Sequence, residues 1–192
     1  MSIELPLPSD KCPEAFALIA SWLEECRQGH KACKTTIAGT TVDENHGPRL
    51  PTRVLDVGCG GSEDISLVET NTQDRGNYCA LSYCWGPPGT PSLLTTRGNL
   101  SDHLEGIKFS KLPKTFQDAV TITRELGIRY LWIDGLCIIQ RDEEDWAIES
   151  AQMAEVYQNA CLVIAAAGAA HPGEGCFSGK SRSRAAVKCP YY

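Results

Sequence analysis

The sequence predicts an α/β fold: a mostly parallel sheet flanked by helices, entered through an N-terminal helical and β-hairpin leader. Three observations carry the expectation. From Tyr78 onward, short apolar runs alternate with longer helix-period runs in the order strand, helix, strand, helix, strand. That order lays parallel strands side by side with crossover helices on their faces. The helical runs also have proper ends: Pro113 opens one and Gly127 closes it, and Asp142 stands where an N-cap belongs for the next. Upstream, two strand-like runs flank Gly58-Cys-Gly-Gly-Ser62, which has the composition of a turn.

In chain order, residues 14–29 read as a helix, because Phe16, Ile19, Ala20, Leu23 and Cys26 recur at helical spacing. Residues 34–51 are polar and connect. Residues 53–57 and 65–69 read as strands, and 78–83 as a strand running into a Gly-Pro-Pro-Gly turn. A helix over 115–126, a strand over 129–134, a long helix over 142–158 and a strand over 162–167 complete the pattern. The organisation expected is a leader and connector over 1–52, an α/β domain over 53–179 with its core motifs at 78–177, and a tail over 180–192.

Composition narrows the function. The chain has 192 residues and a net charge of −6, with no dense Lys/Arg run. A protein that binds nucleic acid through the phosphate backbone needs clustered cations, so that class is set aside. The start, Met1-Ser-Ile-Glu-Leu-Pro, lacks the basic and apolar regions of a secretory signal. The longest apolar stretch, 161–170, is about half the length of a membrane span. A soluble, cytoplasmic protein that binds no membrane is expected. In that setting the ten cysteines stay reduced, and Cys79, Cys84, Cys137 and Cys161, set in apolar runs, act as small buried hydrophobes.

Three constellations could carry chemistry. Val54-Leu-Asp-Val-Gly-Cys-Gly-Gly-Ser62 resembles the first motif of S-adenosylmethionine-dependent methyltransferases. That fold requires a helix directly after the glycines, whereas Ile65-Ser-Leu-Val-Glu69 is strand-like, so a glycine hairpin is the better reading. Cys26, His30 and Cys33, with Cys12 upstream, are zinc-ligand types that would converge on one face of a continued helix. The same face carries Ile19 and Trp22 and Gly29 ends the helix early, so structural zinc is the second choice there.

The third constellation gathers Ser82, Tyr83, Trp85 and Gly86 at one strand's carboxyl end and Asp134, Cys137 and Gln140 at another, where open α/β sheets bind ligands. The helix beginning at Asp142 points its positive end to the same edge. Glu149 falls in the stripe of Trp146, Met153 and Tyr157, which is expected to face the core. A carboxylate there needs a partner or a raised pKa. It is either a catalytic acid or a structural acid paired with Arg124, Arg129 or Arg141.

The motifs Leu81-Ser-Tyr-x-Trp-Gly86, Leu112-Pro-x-Thr-Phe-x-Asp-Ala119, Leu126-Gly-Ile-Arg-Tyr-Leu-Trp-Ile-Asp134, Leu136-Cys-Ile-x-Gln140, Asp145-Trp-x-x-Glu-Ser150 and Tyr157-x-Asn-Ala160, closing on Gly175-x-Phe-Ser178, resemble the fungal heterokaryon-incompatibility (HET) domain. Gly135 stands where that pattern has Ser. The resemblance implies an effector of non-self recognition that triggers programmed cell death, working by self-association or through a protein partner. The family is in turn remotely similar to Toll/interleukin-1 receptor (TIR) domains. Ala80-Leu-Ser-Tyr83 resembles their first strand, and Trp146-x-x-Glu149 their Trp-containing helix, one residue shorter in spacing. This implies a TIR-like fold and hydrolysis of NAD as a substrate, with Glu149 and Asp134 as the catalytic carboxylates. Ser82, Tyr83, Trp85, Gly86, Cys137 and Gln140 would then line the substrate, with no catalytic metal and no redox cofactor.

Overall fold

A computed structural model describes residues 13–29, 47–58 and 63–177. A helix, α1 (Pro13–Gly29), comes first, and its Phe16 and Leu23 pack against the main core. Strands β1 (Arg53–Asp56) and β2 (Ser66–Glu69) pair antiparallel, Val54 opposite Val68. This is the hairpin that the glycine-rich turn predicts, and its antiparallel return excludes the strand–helix unit of a methyltransferase. Strand β3 (Tyr78–Ser82) follows, then the short helix α2 (Leu100–Glu105) and α3 (Lys114–Glu125). After β4 (Tyr130–Trp132) come a one-turn helix α4 (Asp134–Cys137), the long α5 (Glu143–Asn159) and β5 (Leu162–Ala165).

The five strands form one sheet in the order β2-β1-β4-β3-β5. Here the expectation of a mostly parallel sheet is corrected: the sheet is mixed. β3 runs parallel to β4 and β5, with Cys79 opposite Leu131 and Ala80 opposite Val163. β1 lies antiparallel to both β4 and β2. The alternation of strands and helices after Tyr78 dictates the parallel half, because each crossover helix returns the chain in the same direction. It says nothing about a hairpin from outside the alternation, which joins by its own edge. The hairpin therefore supplies two of the sheet's strands rather than preceding it.

Helices cover both faces. The Tyr78 hydroxyl donates to the Val156 carbonyl at 2.6 Å, and Trp132 meets Tyr157 edge-on with centroids 5.4 Å apart, which seats α5. Cys79, pointing the other way from Tyr78 on the same strand, contacts Thr123 of α3. Between them lies a core that includes Leu55, Leu67, Leu81, Phe116, Leu131 and Ile133, each at most 1 % exposed. No described helix is long and apolar enough to cross a membrane. The six described cysteines are reduced thiols; Cys79 and Cys137 are buried as expected, Cys161 is half-buried, and Cys84 is exposed on the loop after β3, contrary to expectation.

Candidate functional site

Two parallel strands end side by side, β3 at Ser82 and β4 at Trp132, and the chain turns sharply after each. After β4 it winds into α4, which puts the half-buried Asp134 on the first residue of a helical turn. One Asp134 oxygen accepts the Gly135 amide at 2.6 Å, and the other accepts the Trp85 indole N–H at 2.9 Å. Trp85 is 42 % exposed, so this bond pins a large aromatic surface in contact with solvent. The indole stacks on Tyr83, centroids 6.2 Å apart and planes 12° from parallel, and Tyr83 is wedged edge-on against Phe116. Burial raises the Asp134 pKa, against the pull of the Trp85, Tyr83 and Gly135 donors. The Tyr83 hydroxyl is buried beside the same carboxyl without a hydrogen bond of ordinary geometry.

Gly135 has a physical reason here. A Cβ at that position would lie 2.9 Å from the Tyr83 hydroxyl and 3.2 Å from Leu94 Cδ2. A side chain at position 135 would therefore have to push the Tyr83 phenol aside. Gly86 closes the strand-end turn with φ +82°, and Ser82 is exposed at its start. Gln140 donates from its amide to the Asp134 and Ile138 carbonyls at 3.0 and 3.1 Å, so its side chain staples α4. Thr95 braces the same turn, its amide donating to the Gly135 carbonyl and its own carbonyl accepting the Gln140 amide.

Glu149 lies in a second cluster. It is 3 % exposed, and its nearest charged partner is Arg53 of β1, 3.7 Å away. Arg53 is itself only 5 % exposed. It meets both oxygens of Asp145 at 2.6 Å and donates from Nε to the Cys137 carbonyl at 2.7 Å. Burial raises the Glu149 pKa, opposed by a hydrogen bond from the Thr52 side chain and by the Arg53 charge. Cys137 lies between the two clusters. Its thiol faces the Ile133 amide, burial pushes its pKa up to about 12, and the charges of Asp134 and Glu149 both add to that rise.

The structure thus brings Ser82, Tyr83, Trp85, Gly86, Asp134 and Gln140 to one edge, and it places Glu149 and Cys137 behind that edge, in the interior. Of the stripe expected on α5, Glu149 is buried and Met153 and Tyr157 pack against the core as expected, whereas Trp146 is 50 % exposed. The partner of Glu149 is Arg53, none of the three arginines expected. Nothing local in the sequence marks that pairing, since Arg53 lies on a strand far from α5. Asp142 does cap α5, accepting the Glu144 and Asp145 amides. Of the cysteines and histidine considered for zinc, only Cys26 lies among the described residues. No group of metal-ligating side chains occurs among the described residues.

A cleft lined by Arg49, Tyr78, Gln152, Glu155 and Asn159 opens elsewhere, between the segment before β1 and the far half of α5. Comparison with known proteins gives one match. The family model described as "Heterokaryon incompatibility protein (HET)" covers residues 78–189, more than half of the chain. No curated protein and no solved structure matches.

Proposed function

The chain belongs to the heterokaryon incompatibility family, and from that premise we propose that it is a cytoplasmic effector of fungal non-self recognition whose output is programmed cell death. Its chemistry in this proposal is hydrolysis of the nicotinamide–ribose bond of NAD. One observation carries the reading: an exposed indole and a half-buried carboxylate are hydrogen-bonded side by side, at the carboxyl ends of two parallel strands. A flat heteroaromatic ring stacks on Trp85. Asp134 then stands beside the ribose, where departure of nicotinamide leaves a cationic, oxocarbenium-like carbon that a carboxylate stabilises. Water adds its oxygen to that carbon and releases a proton, giving ADP-ribose and free nicotinamide. The backbone at Gly86 and the exposed Ser82 hydroxyl border the same ring, and Gln140 keeps the Asp134 turn in place. Glu149 acts from behind the edge, within the Arg53 group.

The test is incubation of purified protein with NAD, in dilute buffer and under crowding, with nicotinamide measured by chromatography. Wild type is expected to release it, Asp134→Asn about a hundredfold less or slower still, and Glu149→Gln with a smaller loss. A wild type that releases no nicotinamide in either condition ends the enzymatic reading.

A second reading is self-association without catalysis, for which the 50 % exposed Trp146 on α5 offers an aromatic anchor. Light scattering on the wild type and on Trp146→Ala separates the two. A concentration-dependent assembly lost in the variant, with no nicotinamide release by either protein, selects this alternative.

A further inference from the structure

Arg53 stands at the head of β1, outside the segment 78–189 that the family model matches, yet it is the most heavily engaged buried cation among the described residues. Its guanidinium works in three directions. Nε holds the Cys137 carbonyl at 2.7 Å; Nη2 holds both Asp145 oxygens at 2.6 Å and faces Glu149 at 3.7 Å. A planar, always-charged fork can do this, whereas the point charge of a lysine cannot serve a carbonyl and two carboxylates together.

The grip on Cys137 matters because Cys137 is the last residue of α4 and Asp134 the first. A single helical turn rises only about 5.4 Å, so Arg53 fixes one end of a short rigid piece whose other end holds the carboxylate bonded to Trp85. The charged and polar groups facing Glu149 are Arg53 from β1, Asp145 from its own helix, the Thr52 side chain and, from α4, the Cys137 thiol. Two carboxylates therefore share one cation in a dry setting, and the cation decides how much of their charge persists.

We infer that Arg53 is a positioning residue of the site: from a strand outside the matched segment it sets the charge state of Glu149 and the stance of the turn that carries Asp134. The inference rests on reading the Trp85–Asp134 edge as the working site, but it is tested without any activity. A bystander ion pair would stabilise the fold and leave both site groups as they are. A positioning residue moves them.

The experiment follows two resonances in the full chain. Carboxyl-labelled glutamate reports the Glu149 titration midpoint, assigned through Glu149→Gln. The indole N–H signal of Trp85, assigned through Trp85→Phe, reports its bond to Asp134. In Arg53→Gln the Glu149 midpoint is expected to rise by about one pH unit or more, tenfold in proton affinity, and the Trp85 signal to shift. Arg53→Lys, which keeps the charge without the fork, is expected to restore most of the midpoint and to leave the Trp85 signal shifted. Should Arg53→Gln fail to fold, Asp145→Asn serves in its place. It relieves Glu149 of a neighbouring negative charge and lowers the midpoint. An unmoved midpoint in Arg53→Gln, or in Asp145→Asn where that stands in, overturns the charge-setting role, and an unmoved Trp85 signal in Arg53→Gln and Arg53→Lys overturns the link to the site. Absence of nicotinamide release would end the enzymatic reading and leave both of these measurements standing.

Discussion

Gly86 shows how tightly single positions are fixed at the strand-end turn. Its φ is +82°, and a Cβ there would lie 2.6 Å from Thr90 Oγ1 and 2.8 Å from His171 Cβ. Strained backbone and lack of room act together, so Gly86→Ala is expected to lose about 2–4 kcal/mol of stability in denaturant melts, from terms of about 1–3 kcal/mol each. A loss under 1 kcal/mol would mean that the turn relaxes freely. At this scale the sequence is informative about residue types and silent about partners. Trp85, Asp134 and Gly86 could be picked out because strand ends and turns announce themselves. That Glu149 would be interior followed from its stripe. That Arg53 would meet it did not, because an ion pair between β1 and α5 depends on how the hairpin docks, and no local pattern encodes docking.

At the scale of elements, α3 is joined to the last described segment by a small clamp. Thr115, fully buried, donates its amide to the Pro172 carbonyl, and its hydroxyl oxygen accepts the Gly175 amide at 3.1 Å. One helical turn later, Asp118 accepts the Cys176 amide at 3.0 Å and pairs with Lys114. These bonds account for Thr115 and Asp118 in the motif that opens α3 and for Gly175 in the closing Gly175-x-Phe-Ser178 motif. Thr115→Ala leaves a buried amide without its acceptor, a loss of roughly 1–3 kcal/mol. The expected result is a matching drop in stability and faster protease cleavage around 170–177; unchanged cleavage would show that the clamp holds without the hydroxyl. Long elements were legible because periodicity and caps agree: α3 and α5 lie where Pro113, Gly127 and Asp142 place them. The short helix α2 and the one-turn α4 were not, since four to six residues give no period to read. The stripe of α5 held at Glu149, Met153 and Tyr157 and failed only at Trp146, for a related reason. With Asp145, Glu149 and Gln152 turned inward or half-inward, hydrophobicity no longer marks its buried face.

The whole molecule carries a pH signature. Burial raises the Glu149 and Asp134 pKa values above their ordinary 4.5 and 3.8. The folded state therefore binds protons more tightly than the unfolded chain between those values and the raised ones. Stability contributed by these groups is present at acid pH and is lost as pH rises through that window. Asp56 behaves oppositely: burial alone would raise its pKa, but Arg129 and the Gly58 amide hold it below 3.8, so its contribution is lost as pH falls through the depressed value. Comparing Glu149→Gln with wild type across pH cancels the other groups. The wild type is expected to lose stability relative to the variant on going from pH 4.5 upward; a difference that stays flat or grows the other way would refute the assignment. Leu55, fully buried in β1 opposite Leu131, tests the sheet as a unit. Leu55→Ala is expected to cost about 2–5 kcal/mol and to shift one cooperative transition sensed by both ends of the sheet. A separate early transition confined to the hairpin would make it an independent piece. The mixed direction of the sheet was beyond the sequence's reach. Strand identities were readable, but the docking of a hairpin depends on which of its edges finds β4.

That docking has a consequence for synthesis. The hairpin needs only local contacts and can form as soon as its second strand has emerged, but Asp56 pairs with Tyr130, much later in the chain. At roughly 5–20 residues per second, β1 waits several seconds with its β4-facing backbone edge unpaired. β3 waits longer still for β5, whose Leu162 pairs with Cys79. For that interval the nascent chain presents two apolar strand edges that any other strand could pair with. Demand for chaperones is thus concentrated before translation reaches the final strand.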